Sequence, residues 1–165
     1  MQDTINTRGL YRFRVRDAAG VVVADWTDHN RVVDEGLDYA LSAALAGGSP
    51  ITSWYLGLTD SAPSPDAADT LGSHSGWSEV TAYDESGRQA WTPGSVSGQS
   101  VDNGGSVATF TINADSTTIG GAFLASADSG TSGTLFSIAA FSGGDVTLSA
   151  GSTLEVTATF TDSAA

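Results

Sequence analysis

Neither cysteine nor lysine occurs in this chain. Without thiols there is no disulfide framework, no thiolate zinc site and no cysteine nucleophile. Without lysine, positive charge rests on six arginines against nineteen acids, for a net charge of −13 and a pI near 4.1. Duplex nucleic acid and anionic membrane surfaces would repel such a chain, so neither is an expected partner. No apolar run approaches the roughly 18 residues of a membrane-spanning helix. The opening MQDTINTRGLYRF has no basic region followed by an apolar one, so it does not read as a secretory signal.

Catalytic and ligand signatures are as scarce. GSHSG (72–76) and GSVSG (94–98) put His and Val where a nucleophile elbow needs Ser. His29 and His74 stand alone in separate segments, and TDHN (27–30) reads as a hydrogen-bonded turn rather than a metal site. Asp60, Asp66 and Asp69 lack the spacing of a calcium loop. The acidic groups Asp84–Glu85 and Asp34–Glu35–Asp38 have structural readings, a turn and a helix start. No phosphate loop, dinucleotide motif, coiled coil or fixed-period repeat is present. The expectation is a chain that is not an enzyme, with no catalytic residues, no metal and no cofactor.

What is present reads as β-structure. Tyr11, Phe13 and Val15 alternate with Arg12, Arg14 and Arg16, the period of a strand with one buried face. DAAG (17–20) then turns the chain into a returning strand, 21–26. One helix is expected near residues 34–46. Asp34 is its N-cap, Glu35 and Asp38 are near the positive end of its dipole, and Gly47–Gly48 stop it. Leu37, Leu41 and Leu45 make a narrow apolar stripe, the feature by which a surface helix faces a core. A strand at 53–59 precedes a long surface loop, 60–76, rich in Pro, Ser, Asp and Gly. Further strands are expected at 79–83, 107–112, 119–125, 135–141, 146–148 and 154–160, separated by glycine-rich turns. The fold class is therefore mainly β, an antiparallel β-sandwich or jelly roll with one short α-helix. Residues 1–165 form a single domain, with a hairpin and helix at 9–47, the loop 60–76 and a β-rich second half, 77–161.

Charge is unevenly placed. Five arginines (Arg8, Arg12, Arg14, Arg16, Arg31) and four acids lie in the first 31 residues. The rest of the chain holds Arg88 and fifteen acids. Solubility, in a salty habitat for instance, accounts for this, and so does a bipolar molecule with an N-terminal docking face and an acidic outer face. Trp26 and Trp54 lie in strands and read as core. Trp77 and Trp91 bracket WSEVTAYDESGRQAW near Gly and Pro; they are read as core or as interface anchors.

Three blocks carry a resemblance: NRVVDEGLDYALSAALAGG with ITSWYLGL, then GWSEVTAYDESGRQAW, then TTIGGAFLAS with GTLFSIAAFSGGDVTLSAGSTLEVT. Together they cover about half the chain and resemble small virion proteins of tailed bacteriophages, either capsid decoration (cement) proteins or head and tail fibre modules. The resemblance implies a structural protein of the virion on the outer capsid surface. Its partners would be the major capsid protein and itself, as a homotrimer. The alternative it implies is a receptor-binding module of a head or tail fibre. On the decoration reading Arg12, Arg14, Arg16, Trp77 and Trp91 are the candidate interface residues. The arginines either dock onto an acidic capsid surface or pair with the chain's own carboxylates.

Overall fold

Alternation at the N-terminus sets the first strand, β1 (Ile5–Arg16), in a computed structural model that describes residues 5–164. Tyr11, Phe13 and Val15 are buried, and burial of each contributes roughly 1.5–3 kcal/mol. The turn at 17–20 is closed by Gly20 N donating to Asp17 O, with Gly20 at φ 82°. The returning strand β2 (Val22–His29) is longer than expected and takes in Thr27, Asp28 and His29, which are therefore strand, not turn. Asp28 points inward, accepting from Trp26 Nε1 (3.0 Å) and Ser142 N (3.1 Å). The chain breaks at Asn30 and crosses to a second sheet as β3 (Arg31–Val32).

The remaining strands are β4 (Trp54–Thr59), β5 (Glu79–Val80), β6 (Gln89–Trp91), β7 (Ser100–Asp102), β8 (Ala108–Thr111), β9 (Thr117–Ile119), β10 (Gly121–Ala125), β11 (Leu135–Ala140), β12 (Val146–Leu148) and β13 (Thr153–Ala164). The first sheet runs β2-β1-β13-β7, with β8 also on β13. The second runs β3-β11-β10-β4-β5, with β6 also on β4, and β9 and β12 form a short pair. Every named pairing is antiparallel. Their inner faces share one core, from Tyr11 and Phe13 through Leu56, Leu58 and Leu124 to Leu154 and Val156. This is a β-sandwich. Several expected strands are shorter: 79–83 reduces to two residues plus a single bridge from Tyr83 to Ile112, and 119–125 is split at Gly120.

The second sheet is covered on its outer side as well, which is why all five residues of β10 are buried. Residues 60–77 are not a bare surface loop. Leu71 and Trp77 pack on Phe123, Leu135 and Ile138 in a second core cluster. Asp34 N donates to Ala67 O, and Ala62 N donates to the Asp145 carboxylate. The Arg88 side chain, buried nearby, is bidentate to Glu79 (2.7 Å and 2.7 Å). It also donates to the carbonyls of Ala127 and Gly130 and stands 5.0 Å over the Phe123 ring.

The helix α1 (Asp34–Leu45) forms where expected but faces otherwise. Its N-cap is Val33, in extended conformation with no side-chain cap bond, so Asp34 is the first helical residue and not the cap. Gly36 is the helix residue fully buried, with Tyr39, Ala40 and Ala43 partly so. A Cβ at Gly36 would collide with the Phe136 backbone. The small face thus lets the helix lie directly on β11, and the leucine stripe is left pointing away.

Candidate functional site

Register fixes the arginine face first. On the outer side of the first sheet Arg14 stands between Asp25 of β2 and Glu155 of β13. Arg12 holds Asp25 through Nε (2.9 Å) and Nη2 (2.8 Å), and Arg14 Nε adds a third bond at 3.1 Å. Arg16 Nε donates to Glu155 at 2.7 Å and its Nη1 to Gly20 O. The Arg12 guanidinium, then Arg14, lowers the Asp25 carboxyl to about 2, and Asp25 in turn raises Arg12. Of the two readings of these arginines, internal pairing is the one observed. Three guanidinium groups against two carboxylates leave only +1 on this face, so charge alone gives it little pull on an acidic surface.

Trp77 is no surface anchor. It is 7 % exposed, stacked on His74 at 3.6 Å and tilted against Phe123 at 5.2 Å. His74, the centre of GSHSG, is thus part of the packing over the second sheet. Trp91 lies opposite Trp54 in the β4–β6 pair and donates Nε1–H to Ala158 O at 3.1 Å. Its ring is only partly buried, because it borders a cleft.

That cleft is the one lined almost wholly by apolar and aromatic side chains among the concavities of the described residues. It opens between the two sheets at the end where β4 and β6 meet, and its volume is about 120 Å³. Trp54, Trp91, Leu124 and Phe136 come from the second sheet, Val101 and Phe160 from the first, and Tyr39 from α1. A β-bulge makes it: the register between β10 and β11 slips between Leu124 and Ala125, so Phe136 has no strand partner. The bulge turns Phe136 toward Trp54 (5.4 Å) and Phe160 (5.2 Å). Glu35 accepts from Leu135 N at 2.9 Å, pinning the same segment from the helix. Tyr39 is fixed by Ile51 N, which donates to its hydroxyl at 2.8 Å. Successive rings stand steeply to one another: 68° for Tyr39–Trp54, 71° for Trp54–Phe136, 89° for Phe136–Phe160 and 84° for Trp91–Phe160. None of the seven lining residues carries a charge.

Two apolar surfaces face solvent. On α1, Leu37, Leu41 and Leu45 are 38 %, 57 % and 79 % exposed, beside exposed Asp34 and Asp38. At the tip of the β1–β2 hairpin Val21, Val22 and Val23 are exposed in a row. Sequence reasoning found the leucine stripe but not its direction, and it missed Tyr39 and Phe136. The glycine at 36 was the available sign that the helix packs by its small face.

Among the described residues no helix is long and apolar enough to cross a membrane, and no group of three or more His, Asp or Glu side chains is placed to hold a metal. No protein-family model matches the chain, and no curated protein matches it.

Proposed function

We propose that this chain is a non-enzymatic structural protein of a tailed-bacteriophage particle. It decorates the outer capsid surface, binds the major capsid protein as a homotrimer and reinforces the shell. The observation that carries this reading is the outward leucine face of α1. A helix locked to β11 by its glycine face presents Leu37, Leu41 and Leu45 to solvent on an otherwise acidic molecule. Exposed apolar residues in a contiguous row mark an association surface. Asp34 and Asp38 at its edge fit an apolar patch on the shell bordered by basic residues. Each contact is modest, and repetition over a lattice makes the sum large. The three sequence blocks described above give the same direction.

The test is stoichiometry and occupancy. Purified virions carry this chain in numbers near those of the major capsid protein if it decorates the shell. Leu41→Ser with Leu45→Ser leaves the melting temperature unchanged and lowers occupancy. Wild-type occupancy by that variant removes the helix face from the interface. A second reading, a receptor-binding module of a fibre, is favoured by the aromatic cleft. A dozen or so copies per particle would select it.

A further inference from the structure

We propose that the cleft between Tyr39, Trp54, Trp91, Phe136 and Phe160 binds a trimethylammonium cation of the choline type. The proposal stands on the cleft alone and is independent of where the chain sits in a particle.

Three observations carry it. The first is shape. Neighbouring rings pack edge to face at 68° to 89° with centroids 5.2 to 5.7 Å apart, so the rings that line the cleft are turned in different directions rather than stacked. A cleft walled by rings turned in several directions can offer ring faces to one guest, and it is the negative face of a ring, not its positive edge, that holds a quaternary ammonium group in an aromatic cage. The second is size. At about 120 Å³ the cleft is close to the roughly 150 Å³ apolar cavity that holds a single benzene, so it takes a ligand of a few heavy atoms. The third is charge. The chain has no lysine and a net charge of −13. Arg88 is buried against Glu79, and Arg12, Arg14 and Arg16 belong to the outer face of the first sheet. Asp38, exposed, is next to the lining residue Tyr39 on α1. A neutral apolar guest gains nothing from this field, whereas a cation does. The molecule already makes the same contact internally, with the Arg88 guanidinium 5.0 Å over Phe123.

A trimethylammonium head is the cation that fits. It is spherical, weakly hydrated and has no N–H donors, and the lining residues offer almost no polar surface to satisfy any. A primary ammonium would lose water without replacing its hydrogen bonds.

The experiment compares choline with 3,3-dimethylbutan-1-ol, its neutral isostere, on the purified wild-type protein. Ligand-observed NMR reads the upfield ring-current shift of the methyl protons, and calorimetry reads affinity. Choline should bind saturably at roughly millimolar concentration and about tenfold or more tighter than the isostere, the preference expected of a cation–π site. Val101→Lys, at the partly buried rim, should lose choline while keeping the isostere. Equal affinity for the two compounds overturns the proposal and makes the cleft a site for an apolar side chain. Choline binding that survives both Val101→Lys and Trp91→Leu overturns it too, by placing the cation elsewhere. Absence of any choline shift at tens of millimolar also refutes it. A titration with phosphatidylcholine vesicles separates a soluble cation from a lipid headgroup: the cleft is recessed between the sheets, so soluble choline and not the vesicle should bind.

Discussion

Replacing Asn103 tests how the first sheet is closed. β13 is paired on one side with β7 at residues 159–161 and with β8 at 153–156. Between these stretches a single fully buried side chain continues the ladder. Asn103 Oδ1 accepts from Ala158 N at 2.8 Å, and Nδ2 donates to Val156 O at 3.2 Å and Ser106 O at 3.3 Å. Ala158 N is only a donor, so the amide orientation is fixed. Asn103→Ala leaves a buried N–H and a buried C=O without partners. At about 1–3 kcal/mol for each, the loss is about 2–6 kcal/mol. A chain of this size loses roughly 2–4 °C per kcal/mol, so its melting temperature should fall by about 4–24 °C. Asn103→Asp is more telling. One oxygen still accepts from Ala158 N, but the other faces two carbonyl oxygens, so the folded state favours the protonated acid. Its carboxyl is then raised in the fold relative to the unfolded value of about 3.9. Stability therefore falls as pH rises between the unfolded and folded values. The deficit against wild type should be smallest below about pH 4 and full at neutrality. Urea unfolding of the three proteins at several pH values reads this directly. A deficit under about 1 kcal/mol for Asn103→Ala, or one for Asn103→Asp that is flat or grows on acidification, refutes the account.

Gly57→Ala puts a Cβ into the Phe123 ring and should cost about 1–3 kcal/mol by thermal melting, with part restored by Phe123→Leu. Arg88→Met strips Glu79 of its buried partner and should cost about 3–5 kcal/mol in urea, whereas Arg88→Met with Glu79→Gln should recover much of that. The Asp25 carboxyl is lowered in the fold from 3.8 to about 2 by Arg12 and Arg14, so its contribution is complete above about pH 4 and is lost as pH falls toward 2. Asp25→Asn should flatten that part of the acid limb. An unchanged limb would show that the arginine ladder does not respond to this group.

Where the chain alternates, its strands were legible: β1, β8 and β13 follow from period-two burial. β5 is what remains of the strand expected at 79–83, while β6 and β7 are three residues long, too short to show a pattern, and pair because β4 and β13 offer edges. The helix was placed from its charges and glycines, yet its buried face was not readable from hydrophobicity. Contact with β11 is limited by backbone approach, so Gly36 decides the face and the leucines do not. The cleft depends on a bulge at Phe136 and on one helix residue coming together with residues of six strands. These juxtapositions exist only after the fold is complete. The arginine face was half legible, since alternation placed its side chains but only strand register supplied Asp25 and Glu155 as partners.

The adjacency of β1 and β13 has a consequence for synthesis. Arg14 and Glu155 belong to one ion pair yet are 141 positions apart. A ribosome adding roughly 5–20 residues per second needs about 7–30 s to cover that interval. For that time the β1–β2 hairpin stands with one strand edge open, and until β11 is made its Tyr11, Phe13 and Val15 face no complete second sheet, the condition in which nascent β-chains aggregate. Asp25, on β2, is made early and holds Arg12 and Arg14 from the start. The waiting hairpin therefore keeps a charged, hydrated side long before its last strand leaves the ribosome.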